Sequence, residues 1–226
     1  KKIDDLKPDT ITGYNSESFD WPFLEGRGDR LSVKIPDIGI GLNHDVKFKR
    51  KEKCSLKLGN DTEQYTQTLL WGYNVLDISH AVRRAQAINT DIKKWNLKYI
   101  TKYSDIAKKN RVYVKGNIIH KTWNDKINDY AFNNKNGDWY IISEKKPLQE
   151  NYKIVKGNYI VQRYLIDDLW ETEQVDLIFN QASFLLAKIV PTMYWRSSTM
   201  GTAGTWSLIM QAWSYENGLA IPETES

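Results

Sequence analysis

A single cysteine, Cys54, stands in 226 residues. No internal disulfide can staple the chain, and a reducing compartment suits it. Histidine is nearly as scarce. His44, His80 and His120 lie far apart and make no zinc-type pair, so each reads as a surface or packing residue. No apolar run approaches the length of a membrane span and no signal-peptide pattern opens the chain, so no membrane partner is expected. Neither sign of charge dominates: 32 basic against 28 acidic residues leave +4, which permits contact with nucleic acid without requiring it. Aromatic residues, by contrast, are plentiful. Nine Trp and thirteen Tyr suit base stacking, a sugar-binding face or a plain core equally.

The length allows one large domain or one domain plus part of another, and 41% hydrophobic with 27% charged residues is ordinary for a globular protein. Lys1 to Lys7 reads as the last turns of a helix, and Ile221 to Ser226 as a polar tail, so the chain reads as a piece of a longer protein.

Thr10 to Tyr14 is a short β-rich run, entered through Pro8-Asp9 and left at Asn15. Ser16 to Ser18 is a polar turn, after which Asp20 is clamped between Phe19 and Trp21. A carboxylate at the end of a strand, held between aromatics, presents a fixed charge to a ligand. The residues alone equally allow Asp20 to cap the helix that follows.

Glu25 to Asp29 reads as a turn, and Leu31 to Ile40 as short extended segments broken by Pro36 and Gly39. Lys47 to Lys53 holds five basic residues in seven and reads as one strand of a hairpin. Its second strand is expected at Ser55 to Leu58, with a turn at Gly59-Asn60-Asp61; phosphate contact there stays open. Gln67 to Val75 is extended. Ser79 to Asn89 is helical, with Ser79 as its cap and Asp77 bracing the strand–helix junction. A helix is expected over Thr101 to Asn110 and a strand over Arg111 to Lys115. Asn136-Gly137-Asp138 signals a hairpin turn whose returning strand is Trp139 to Ile142. From Asn158 the pattern is helical: one helix to about Trp170–Glu173, another from Val175 to Ile189 ended by Pro191, and a last from Thr205 to Glu216 stopped at Asn217-Gly218. Within the first of these, Tyr164 and Asp168 stand four apart, which puts a phenol and a carboxylate on one helix face. A buried tyrosine beside a solvated Asp pair has the same spacing.

The stretch Pro8 to Tyr14, Asn15, then Phe19-Asp20, resembles the second exonuclease motif of family B DNA polymerases. Tyr164-x-x-x-Asp168 is similar to the third, in the right order. Val75-Leu76-Asp77 with Asn96 to Ile100, Phe184 to Pro191, Ser207 to Ile209 and Asn217 to Pro222 extend the resemblance over nearly the whole chain.

The resemblance implies an α/β, ribonuclease H-like 3′–5′ exonuclease fold, a mixed sheet flanked by helices, with β-hairpin insertions. Residues 1–190 would be the exonuclease domain and 191–226 a helical connection toward the polymerase palm. It implies two-metal hydrolysis with Mg²⁺ or Mn²⁺, Asp20 and Asp168 as metal-binding carboxylates, and Tyr164 orienting the attacking water. Asn15 and Phe19 would contact the single-stranded 3′ end of a DNA primer; deoxynucleotides would be partners of the parent polymerase. A cytoplasmic location is implied, the host's if the source is viral. The family's first motif, D-x-E, has no room ahead of Pro8, so the fragment itself is expected to be inactive. Two alternatives stay open: an inactive exonuclease-fold DNA-binding domain, and an aromatic-rich module for glycans or proteins.

Overall fold

The computed structural model describes residues 5–33 and 48–221. The chain divides into two compact units, residues 1–96 with 175–226, and residues 97–174. Of the extended segments expected over Leu31 to Ile40, Leu31 to Val33 form no strand and the remainder lies outside the described residues.

In the first unit, β1 (Thr10–Gly13) pairs in parallel with β4 (Asn74–Asp77), Gly13 opposite Asp77. Between them in sequence come α1 (Asp20–Arg30) and an antiparallel hairpin, β2 (Lys49–Leu58) and β3 (Asp61–Leu69). Trp21, Leu70, Tyr73 and Val75 form a buried cluster with Ile11, Leu24 and Phe48 against it. Each large side chain removed from water there contributes on the order of 2 kcal/mol.

Three readings of this region change. Glu25 to Asp29 is helix rather than turn: Pro22 falls in the first turn, where its missing N–H has no helical partner, and Trp21 and Leu24 anchor the helix on the cluster despite Gly26 and Gly28. Lys49 to Leu58 is one continuous strand, not two. A bulge between Lys51 and Cys54, with Lys53 at φ 56°, carries the strand past the end of the basic run. The cap of α2 (Ile78–Ile88) is Asp77, not Ser79. His80 is buried on that helix with its ring 4.5 Å edge-on to Tyr65, a packing role.

The second unit opens with α3 (Leu97–Tyr103), which starts and ends earlier than the expected Thr101–Asn110. Arg111 to Lys115 runs extended but joins no ladder among the described residues, so the expected strand there is absent. The polar span after it hides α4 (Gly116–Asn124). β5 (Tyr130–Phe132) is the centre of a three-stranded antiparallel sheet between β6 (Trp139–Ile141) and β7 (Lys153–Val155), its hairpin turn at Asn136–Asp138 as expected. Val112, Val114, Tyr130, Phe132 and Ile160 form the core of this unit.

Helix α5 (Gly157–Phe179) runs unbroken for 23 residues where two helices with a break near Glu173 were expected. The interruption comes at Asn180, whose side-chain amide donates to Asp176 Oδ1 at 3.0 Å and to the Tyr194 hydroxyl at 2.9 Å. α6 (Gln181–Ala187), α7 (Tyr194–Thr199) and α8 (Thr202–Glu216) follow, and α8 ends at Asn217 with Gly218 at φ 65°. No helix among the described residues is long and apolar enough to cross a membrane.

Candidate active site

The first cluster of expected site residues lies in the first unit, where β1 ends and α1 begins. Gly13 lets the chain fold back on itself, since a Cβ there would meet Ser16 Cβ at 2.6 Å. Asn15 then takes φ 58°, a left-handed conformation that Asn tolerates better than most residues. Its carbonyl accepts from Phe19 N–H at 3.1 Å, and Ser16 O from Trp21 N–H at 3.0 Å, so the turn winds directly into the helix.

Asp77 holds this turn from below. Its buried carboxylate accepts from Asn15 N–H at 2.8 Å, Glu17 N–H at 3.0 Å, Ser79 N–H at 3.0 Å and Ser79 Oγ–H at 2.7 Å. One acid thus caps α2 and pins the loop that precedes Phe19 and Asp20. With its oxygens committed to these donors, Asp77 is a brace, as its place at the strand–helix junction suggested.

Glu17 is a second buried acid in the turn. It accepts from Thr68 N–H at 2.9 Å, Thr68 Oγ1–H at 2.7 Å and Gln67 Nε2–H at 3.2 Å, with Arg50 Nη1 3.7 Å away. Burial, outweighing those donors, pushes its carboxyl up to about 7.

Phe19 and Asp20 emerge from this support. Phe19 is 66% exposed and stacks on equally exposed Phe23, centroids 6.4 Å apart and planes 10° from parallel. Phe23, one helical turn on, is a partner that the i, i+4 spacing could have disclosed. Asp20 is the first residue of α1 and Phe19 holds the N-cap position, so Asp20 is not the cap of this helix. Partial burial, and then the Asp77 charge, hold its carboxyl above the ordinary carboxylate range.

The second cluster lies in the second unit, on α5. Tyr164 and Asp168 share a face, near enough for the Asp168 charge to act on the phenol. Burial, followed by the Asp168 charge, pushes the Tyr164 hydroxyl up to about 12. It stays protonated at any physiological pH and can donate.

Asp168 and Asp167, indistinguishable by spacing, part company. Asp167 is fully buried, accepting from Val112 N–H at 3.0 Å with Lys108 Nζ at 3.6 Å. Asp168 keeps 24% of its side chain exposed and pairs with Arg111 Nη2. Arg111 also sits 2.9 Å, through Nε, from the buried Glu171, whose carboxyl is raised by burial first and lowered by Arg111. Lys98 adds a cation 4.7 Å from the Tyr164 ring centroid. Burial, partly offset by Asp168, lowers its ammonium below the ordinary lysine value. Glu171 continues the Tyr164–Asp168 face at i+7 and i+3, a signal present in the sequence. Arg111 and Lys98 come from segments 57 and 70 positions from Asp168, and no local pattern announces them.

Asp20 and Asp168 are hard-oxygen donors, the type a divalent cation takes. Among the described residues no group of three or more His, Cys, Asp or Glu is arranged to hold a metal ion, so these acids fit as part of a ligand set and do not close one. The D-x-E spacing occurs once in the sequence, at Asp61-Thr62-Glu63 on β3, where both acids are exposed and Glu63 pairs with Arg83.

Residues 1–100 match the family described as DNA polymerase family B, exonuclease domain. The fold is similar to that of the family B DNA polymerase from the hyperthermophilic archaeon Pyrobaculum calidifontis, with a TM-score of 0.63 and 17% sequence identity. All of this chain is covered in that comparison, and it spans 23% of the polymerase's length. The mixed α/β architecture with its small sheets agrees with the ribonuclease H-like expectation. No curated protein matches the sequence.

Proposed function

We propose, from the match of residues 1–100 to the exonuclease domain of the family B DNA polymerases, that the chain serves proofreading: removal of 3′-terminal nucleotides from DNA. The match over a segment that contains Asn15, Phe19 and Asp20 is the observation that carries this reading. Residues 1–190 are taken as the exonuclease part and 191–226 as the connection to the polymerase part.

Phe19 offers its exposed ring to a base or sugar of the unpaired 3′ end, and Asn15 fixes the backbone beside it. The Tyr164 hydroxyl, kept protonated, orients the attacking water by a hydrogen bond. Arg111 positions the Asp168 carboxylate and neutralises Glu171 beside it. Asp20 and Asp168 are each proposed as ligands of a divalent ion, Mg²⁺ or Mn²⁺. Such ions, when bound, supply an activated water and stabilise charge on the leaving 3′ oxygen. Because the described residues close no metal site by themselves, the 226 residues alone are proposed not to hydrolyse DNA.

A second reading, DNA binding without catalysis, draws on the ion pair that engages Asp168 with Arg111. The test is digestion of a 5′-labelled single-stranded oligonucleotide by the full-length protein. The proposal expects stepwise shortening from the 3′ end that needs a divalent ion and stops with chelator. No digestion at saturating Mg²⁺ or Mn²⁺ would leave the second reading in its place.

A further inference from the structure

We infer that the second unit carries a nucleotide-binding pocket beside the Tyr164–Asp168 face, sharing Arg111 with it and otherwise lined by other residues. The pocket has a volume of about 360 Å³ and is lined by Lys102, Lys108, Lys109, Arg111, Tyr113 and Trp139, with Ala107 and the β5–β6 turn completing its wall. That size suits one nucleotide unit. The inference rests on reading the chain as a DNA-processing domain, and adds to it a place where a phosphate and a base are held.

The pocket is built rather than incidental. Gly137, at φ 72°, brings the turn against the extended segment: a Cβ there would meet Asn110 O at 2.5 Å and Arg111 O at 2.6 Å. Asn110 Nδ2 also donates across to Asn134 O at 3.3 Å. The Trp139 ring is fixed by its Nε1–H donating to Tyr113 O at 2.9 Å, so little order has to be created on binding. Lys102 Nζ sits 5.2 Å from the centroid of the Tyr113 ring, which is 41% exposed.

The charges favour an anion. Arg111 is balanced by Asp168 and Glu171, and Lys108 is near Asp167. Asp138, the one acid in the lining, accepts from Tyr152 O–H and from Trp139 N–H, each at 3.0 Å. Lys102 and Lys109 make no ion pair among the described residues and are left to meet a phosphate, with aromatic faces beside them for a base. The nucleotide could belong to a single strand or be a free mononucleotide; the chemistry is shared.

The test follows the indole N–H resonance of Trp139 in the ¹⁵N-labelled chain, titrated with dTMP and separately with a short oligothymidylate. A saturable shift is expected, with affinity falling about tenfold or more in Lys102→Ala/Lys109→Ala and weakening with added salt. Tighter binding of the oligonucleotide assigns the pocket to a DNA strand; equal binding assigns it to a mononucleotide. No saturable shift at Trp139, or one unchanged in the double variant while the spectrum stays folded, overturns the inference. Asp20→Ala separates the two claims. Unchanged digestion in that variant of the full-length protein counts against the proofreading assignment of Asp20, while the Trp139 titration judges the pocket independently.

Discussion

Removing the Asp77 carboxylate should release the turn that carries Asn15, Phe19 and Asp20. In Asp77→Ala the amides of Asn15, Glu17 and Ser79 and the Ser79 hydroxyl lose their acceptor. Hydrogen bonds to a charged group contribute about 1.5–3 kcal/mol each, and loss of a helix N-cap costs about 1 kcal/mol. The bonds share one acceptor and water can enter the space left, so the sum is less than additive; about 3–5 kcal/mol is expected. In urea, with a slope of about 2 kcal/mol per M, that lowers the midpoint by roughly 2 M. Because the chain divides into two compact units, amide exchange gives the sharper assay. Protection at Asn15 and Glu17 should fall by roughly two to four orders of magnitude, the same energy expressed as an opening constant. Asp77→Asn, which keeps one acceptor oxygen, should fall between. Unchanged protection at both amides in Asp77→Ala would refute the brace.

Other perturbations have equally definite outcomes. Glu17 is raised from 4.5 to about 7 in the folded chain, so its contribution to stability is fully present below pH 4.5 and is lost as pH rises through 7. Glu17→Gln should flatten that fall when urea midpoints are compared at intervals from pH 4.5 to 8; a parallel pH dependence in both chains would contradict it. Arg111→Ala strands the acids it balances, Asp168 and the buried Glu171, and should destabilise the chain by about 3–5 kcal/mol in denaturant titrations. Substitution without measurable cost would mean that the pair is not what holds this face. Phe19→Ala removes an exposed ring and should leave the melting temperature unchanged. Affinity for single-stranded DNA should weaken by about 1–3 kcal/mol, read by fluorescence anisotropy of a labelled strand.

Local chemistry was legible where one segment supplies both signal and structure. The β-branched run at Thr10 to Tyr14, the Asn136-Gly137-Asp138 turn and the Asn217-Gly218 stop all formed as their residues direct. Asp77 as a brace was legible for the same reason, although Ser79 looked the better cap. What failed was weighing local signals against packing. Gly26 and Gly28 argue for a turn, yet Trp21 and Leu24 bury one side of α1 and prevail. The basic run Lys47 to Lys53 reads as a strand of its own, yet the chain passes through a bulge at its end and continues to Leu58. The Trp and Tyr count that left a glycan face open includes Tyr130, Tyr140 and Trp139, which pack into or against the core of the second unit. Arg111 read as a strand residue because the acids it meets lie 57 and 60 positions later.

Asp20 and Asp168 are proposed as the carboxylates through which this chain takes part in 3′-terminal hydrolysis. The most direct measurement compares 3′–5′ digestion by the full-length protein with Asp20→Ala and Asp168→Ala variants, each checked for intact folding by circular dichroism. Each substitution should abolish divalent-dependent digestion while binding of single-stranded DNA persists. Digestion at the unsubstituted rate in either variant would contradict it.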